Sequence, residues 1–115
     1  MANALYGLGR QAFLDGNISW SSDDIKAVLV DTALYTVNID VDQFLSAIVA
    51  GARIATSSNL SGKTSTLGVA DASDVTFTAV TGATVEAVVL YQDTGVAATS
   101  PLIAYIDTAT GLPVT

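Results

Sequence analysis

The spacing of apolar residues changes near Gly51, and the change divides the chain into two kinds of segment. Before it, Leu5, Leu8, Ala12 and Phe13 recur at helical spacing, with Asn3 placed to cap the first turn and Asp15-Gly16 placed to close the last. Gly7 and Gly9 lie inside that stretch and weaken it, so the helix needs a packing partner. Trp20 follows in a polar stretch, and Ile25 to Thr32 (IKAVLVDT) is a β-branched run suited to a strand. Asp40-Val41-Asp42-Gln43 has the form of a capping box and predicts a short helix through Phe44, Leu45 and Ile48, ended by Gly51.

After Gly51 the period is two. ARIATSS (from Ala52), VTFTAV (from Val75), TVEAVVLYQ (from Thr84) and LIAYID (from Leu102) all read as strands, separated by clusters of Ser, Thr, Gly, Asn and Asp. The predicted fold is mainly β, a β-sandwich or small barrel, with a short N-terminal helix and one short inserted helix. Residues 1–20 are expected to form an N-terminal docking segment and residues 21–115 a β-rich domain. No repeat of solenoid period is present.

Three apolar runs end in the same pair, at Asp31-Thr32, Asp93-Thr94 and Asp107-Thr108. Asp and Thr side chains accept hydrogen bonds from backbone N–H groups just downstream and turn a chain out of a ladder. The competing reading is calcium, a hard ion that wants several oxygen ligands. It requires Asp31, Asp93 and Asp107 to meet at one rim, with help from Asp40 and Asp42 or from Asp71 and Asp74. The EF-hand pattern is missing and the only glutamate is Glu86, so turns are the preferred reading and no cofactor is expected, with calcium as the alternative.

Composition narrows the function classes. Eleven acidic residues face four cations, for a net charge of −7, which argues against nucleic acid and against anionic membranes. Only 13% of the 115 residues are charged, a hint of self-association or of docking on something larger. With no Cys there are no disulfides, and with no His there is neither a His-based triad nor most kinds of zinc site. No run is long enough to span a bilayer, and the N-terminus lacks the basic start and apolar core of a secretory signal. Work outside a cell would then follow lysis or travel as part of a particle.

The remaining chemistry is weak. Gly62-Lys63-Thr64 matches the end of a phosphate loop, but Ser57 stands where the first glycine is required and no helix follows, so Gly62 is expected to turn between two polar strands. A Ser57 or Ser61 nucleophile with Lys63 as base would need a buried lysine, in a stretch that reads as exposed. A two-carboxylate glycosidase would need an aromatic-lined cleft, from a chain with one Trp and 7% aromatics. Tyr91 and Tyr105 fall inside strand runs and read as packing residues, whereas Trp20 and Tyr35 are better placed as interface anchors. The expectation is that the protein is not an enzyme.

Taken in order, LYGLGRQAFLDGNISW, VLVDTALYTVN, DQFLSAI, ARIATSSNLSGKT, GVADASDVTF and LIAYIDTATGLPVT resemble a family of small tailed-bacteriophage proteins found among virion structural genes. The resemblance covers nearly the whole chain and brings no catalytic residues with it. It implies a virion structural protein, in the leading form an outer-capsid decoration or cement protein on the capsid surface. Its partners would be the major capsid protein and itself, as a trimer on three-fold lattice positions. Leu5, Tyr6, Leu8, Phe13, Trp20 and Tyr35 are the residues expected to bind the partner. A neck, tail or fibre component is the alternative within the class, and a calcium- or glycan-binding β-sandwich module the alternative outside it. Family members are also expected to continue past GLPVT into a further Gly-rich strand, and a chain lacking it would leave a sheet edge open for another subunit.

Overall fold

A computed structural model describes residues 3–77, 80–108 and 112. Its centre is an antiparallel sheet of five strands. β2 (Ile25–Val30), β6 (Ala87–Gln92) and β7 (Leu102–Ile106) form the middle. β1 (Ala4–Leu5) lies outside β7 and β3 (Arg53–Thr56) outside β2, giving the order β1-β7-β6-β2-β3. The remaining strands, β4 (Thr64–Thr66) and β5 (Val69–Asp71), pair only with each other. The mainly β expectation therefore holds, but among the described residues the sheet is open and does not close into a barrel.

Alternation along the central strands sends side chains to two apolar layers. Val28 and Val30, Ala87, Val89 and Tyr91, and Leu102 and Tyr105 face one layer, where Tyr6, Tyr35, Leu45 and Ile48 join them. Ile25, Ile103 and Ala104 face the other, covered by Ile18 and Leu60. Two neighbours on one strand, Ile103 and Ala104, share a face because the register slips there: Tyr91 pairs with Leu102 and Leu90 with Ala104, leaving Ile103 as the extra residue of a bulge. With both faces covered, β7 is buried along most of its length, which explains why LIAYI reads as a continuous apolar run rather than an alternating one.

The N-terminal helix α1 (Gly7–Leu14) does need a partner, and β7 is that partner. An eight-residue helix is marginal alone. Here Gly9 sits so close to β7 that an added Cβ would lie 2.3 Å from the Leu102 carbonyl oxygen. The glycine that weakens the helix thus permits its docking. Asp15-Gly16 closes it as expected, Gly16 taking φ +78°. Its start is different. Asn3 does not cap the helix, which opens after Tyr6 with no side-chain cap. The Asn3 amide oxygen instead accepts the N–H groups of Asp107 and Thr108, both at 2.9 Å, and its amide nitrogen donates to the Thr108 carbonyl. β1 and the end of β7 are stapled together in this way.

The inserted helix is also corrected. Leu45–Ala47 and Ala50–Ala52 form only single 3₁₀ turns. The Asp42 carboxylate accepts the Asn38 N–H at 3.0 Å and the Tyr35 hydroxyl at 2.7 Å. The backbone beyond it is held by the segment leading into β7: Leu45 N–H donates to the Ser100 carbonyl, and the Gln43 carbonyl accepts the Leu102 N–H. Tertiary partners have taken the groups a helix would have used. The strand expected at VTFTAV is not formed over Val75–Phe77, and its positions 78–79 lie outside the described residues.

Candidate functional site: an edge slot and a projecting hairpin

The strand-end aspartates can now be placed. β2, β6 and β7 are antiparallel neighbours, so Asp31 and Asp107 lie at one rim, with Glu86, and Asp93 lies at the opposite one. Asp31 accepts the Ala33 N–H and Asp93 the Gly95 N–H, each at 2.9 Å, which is the side-chain turn expected of them. At the third ending Asn3 does this work, and Asp107 accepts the Thr108 hydroxyl. Glu86 is engaged by the N–H and hydroxyl of Thr32. Among the described residues no three carboxylates gather in a group able to hold a metal ion. Asp93 also pairs with the Lys26 ammonium at 2.8 Å, and that hydrogen bond holds its carboxyl below the ordinary range.

The six residues expected to bind a partner separate by burial. Tyr6 and Tyr35 are buried, and their hydroxyls meet at 2.8 Å. Because the Tyr35 hydroxyl donates to Asp42, Tyr6 donates to Tyr35, and a three-member chain ties α1 to the 31–42 loop. Burial raises both hydroxyls above the ordinary tyrosine value. In this conformation these two have no surface to offer. Leu8, Phe13 and Trp20 are half-buried, and Leu5 is exposed. The Trp20 indole N–H points to the carbonyls of Thr64 and Asp71, at 3.0 and 3.3 Å, so Trp20 pegs the first residue pair of the β4–β5 hairpin.

That hairpin is the most exposed regular element. All six of its strand residues are exposed, and Leu67 at its tip is 99% exposed. The two-residue turn Leu67-Gly68 has positive φ at both positions, +52° and +81°. This suits the twist of a tight hairpin but normally selects Asn-Gly, and holding a leucine there costs on the order of 1 kcal/mol. No charged residue occurs from Thr64 to Ala70. The expected polar strand after Gly62 is present as β4, and Gly62 turns into it at φ +62°, but sequence reading missed the second strand and its turn because TSTLGVAD lacks the Asn-Gly or Asp-Gly signal.

At the hairpin's foot, Ser73 N–H donates to the Ser61 carbonyl, and beside it runs a slot of about 500 Å³. One wall is β3 and its extension to Ser61; the other carries Val75, Phe77 and Val80. The extension still follows β2, since the Ser57 N–H donates to the Ala27 carbonyl and the Leu60 N–H to that of Ile25. Ala27 N–H in turn donates to the Ser57 hydroxyl. The Ser57 N–H thus faces β2 while the Ala27 N–H takes the Ser57 hydroxyl instead of its carbonyl, and Thr56, paired with Val28 one residue before, turns its own N–H and C=O away from β2. The site offers an open strand edge and a mixed far wall, where Thr76 and Thr81 alternate with Val75, Phe77 and Val80 and Asp74 is the one lining carboxylate among the described residues. An exposed strand edge of this kind is able to accept a further strand.

No helix among the described residues is long and apolar enough to cross a membrane. No family model matches the chain, and no curated protein and no solved structure matches it.

Proposed function

We propose that the protein is a structural component of a tailed-bacteriophage virion, an outer-capsid decoration or cement protein bound to the lattice of the major capsid protein. The observation that carries the reading is the ordered set of stretches, LYGLGRQAFLDGNISW through LIAYIDTATGLPVT, that resembles such proteins along nearly the whole chain. The surface supports it. Leu5, Leu14, Leu67 and Val69 are exposed on a chain with only 13% charged residues, which suits a protein that covers much of its surface with neighbours. The role needs no catalytic group. It works by clamping: each copy buries apolar area across joints between capsid subunits, at roughly 25 cal/mol per Å² less the cost of ordering. The finer fold expectation, a β-sandwich, belongs to the same proposal.

The test is the copy number per purified virion, measured by quantitative mass spectrometry against the major capsid protein. Copies on the order of hundreds, following the lattice symmetry, fit decoration. A handful moves the protein to the neck, tail or fibres, and absence from the particle refutes the structural role.

A further inference from the structure

A cavity of about 400 Å³ opens at the rim shared by the end of β2, the start of β6 and the end of β7, lined by Thr32, Tyr35, Glu86, Tyr105 and Asp107 among others. Its lining holds two carboxylates and, among the described residues, no cation. The chain's four basic side chains are engaged elsewhere. Arg10, Arg53 and Lys63 donate to the carbonyls of Leu5, Ile48 and Asp23, and Lys26 pairs with Asp93. Tyr105 marks the cavity as more than an acidic rim. It is 4% exposed, its ring is set against that of Tyr35 with centroids 6.5 Å apart, and among the described residues its hydroxyl makes no hydrogen bond. No fully buried side-chain N or O among the described residues lacks a partner, so the Tyr105 hydroxyl is the part of that residue which reaches solvent, through this cavity. Burial, followed by the charges of Asp107 and Glu86, raises it above its ordinary value, so it stands within electrostatic reach of both carboxylates. Glu86 is the carboxylate with acceptor positions to give. Its Oε1 accepts the Thr32 N–H at 3.3 Å and its Oε2 the Thr32 hydroxyl at 3.1 Å, which pins the carboxylate and leaves a second lone pair on each oxygen. Asp107 is already engaged, by the Thr108 hydroxyl and elsewhere.

We propose that this cavity receives the guanidinium of an arginine side chain carried by a partner protein, paired with Glu86 and hydrogen-bonded to the Tyr105 hydroxyl. The donor set selects the ligand. A hard metal ion wants six or more oxygens, and among the described residues no three acidic side chains gather to supply them. The cavity has the volume of a side chain and more. Two lone pairs on a pinned carboxylate, with a hydroxyl beside them, suit the planar fork of a guanidinium, which takes a carboxylate through two parallel N–H bonds; the ammonium of lysine is a point charge without that shape. Charge selects the carrier. A chain of net charge −7 draws a basic protein surface toward it. Free arginine fits less well, because its own carboxylate would enter a cavity that has two carboxylates and no cation to receive it. The inference does not depend on the virion reading, and that reading survives its failure.

The probe is acetyl-arginine-amide, which presents the side chain as a protein does, titrated into the full chain and followed by amide chemical shifts of isotope-labelled protein. Saturable shifts are expected at Thr32, Glu86 and Tyr105 and none in the β4–β5 hairpin. Glu86→Gln keeps an oxygen for Thr32 and should weaken binding about tenfold or more. Tyr105→Phe removes a hydroxyl that holds nothing in the fold, so it should leave the melting temperature unchanged and still weaken binding about threefold or more. Acetyl-citrulline-amide, the neutral compound of the same shape, should not bind, and acetyl-lysine-amide should bind more weakly than the arginine probe. Absence of saturable shifts up to the solubility of the arginine probe overturns the proposal. Equal binding of the citrulline or lysine compound overturns it as well, as does unchanged binding by Glu86→Gln. Free arginine binding as tightly as its blocked amide would overturn the assignment to a partner protein and make the ligand a free small molecule.

Discussion

β7 and the β4–β5 hairpin are both antiparallel strand elements of the same small chain, yet they sit at opposite extremes of burial. β7 has four of five residues buried, a helix on one side of it and a tyrosine-lined core on the other. The hairpin has none buried. Backbone pairing is common to both, so pairing does not explain the difference; packing does. β7 is where α1, β1, β6 and the 43–45 segment converge, whereas the hairpin is held at its foot by one indole N–H and the Ser73–Ser61 bond, and beyond that by its own ladder. The body of the protein supplies stability, and the 64–71 hairpin adds little to it and displays surface.

The comparison breaks most visibly at Leu102. Leu102→Ala should lower stability by about 2–5 kcal/mol through loss of burial and the cavity left behind. Val69→Ala in the hairpin should change it by under about 0.5 kcal/mol. Denaturant titration of the two variants decides this, and a comparable loss at Val69 would mean that the hairpin packs on the body.

The tyrosines sharpen the same contrast, because all four belong to the body: Tyr6 and Tyr35 with Tyr91 and Tyr105. Each is held above its ordinary value of 10.0, chiefly by burial. A group raised on folding contributes stability that is intact below its unfolded value and is lost as the pH climbs through its folded value. Stability should therefore fall from about pH 10 upward, at up to about 1.4 kcal/mol per pH unit for each tyrosine. Tyrosinate absorbance should rise together with loss of the near-ultraviolet circular dichroism. Ionisation of the tyrosines in a still-folded protein would contradict the buried Tyr6–Tyr35–Asp42 chain.

Gly9→Ala tests the seat of the helix. Its Cβ would meet backbone, the Leu102 carbonyl, and so the helix must shift; the expected cost is about 1–3 kcal/mol, even though alanine is the better helix former. A stabilised variant in thermal melts would refute the close approach.

Trp20→Phe should act locally. It removes the donor to Thr64 and Asp71 and costs on the order of 1 kcal/mol. Hydrogen exchange should quicken across residues 64–71 while the central strands keep their protection. A small effect is expected at Lys26–Asp93, an ion pair near the surface. The depressed Asp93 carboxyl contributes stability that is present above about pH 4 and lost as the pH falls below it, under about 1 kcal/mol in all. Asp93→Asn should flatten that part of the acid limb in pH-dependent melts.

Much of the body was legible beforehand. β2, β3, β6 and β7 fall within IKAVLVDT, ARIATSS, TVEAVVLYQ and LIAYID because β-branched and aromatic runs bounded by turn residues carry their own signal. Asp15-Gly16 ends the helix as read, and the turns at Asp31 and Asp93 use a side chain and the backbone just beyond it. What local pattern determined, in each case, is contained within a few neighbouring residues.

Tertiary structure decided everything whose partner lies far along the chain. Asn3 has the right residue type for a helix cap, yet it serves Asp107 and Thr108, more than a hundred positions away. The capping box at Asp40–Gln43 yields to Tyr35 and to the 100–102 segment for the same reason. Tyr6 and Tyr35 read as surface anchors until the sheet encloses them and joins their hydroxyls. The slot is the clearest instance: its two walls are more than ten residues apart in sequence, and neither contains a motif. Local sequence encodes which backbone conformation is cheap, but a buried hydrogen bond and an exposed edge are properties of what the rest of the chain has or has not brought alongside.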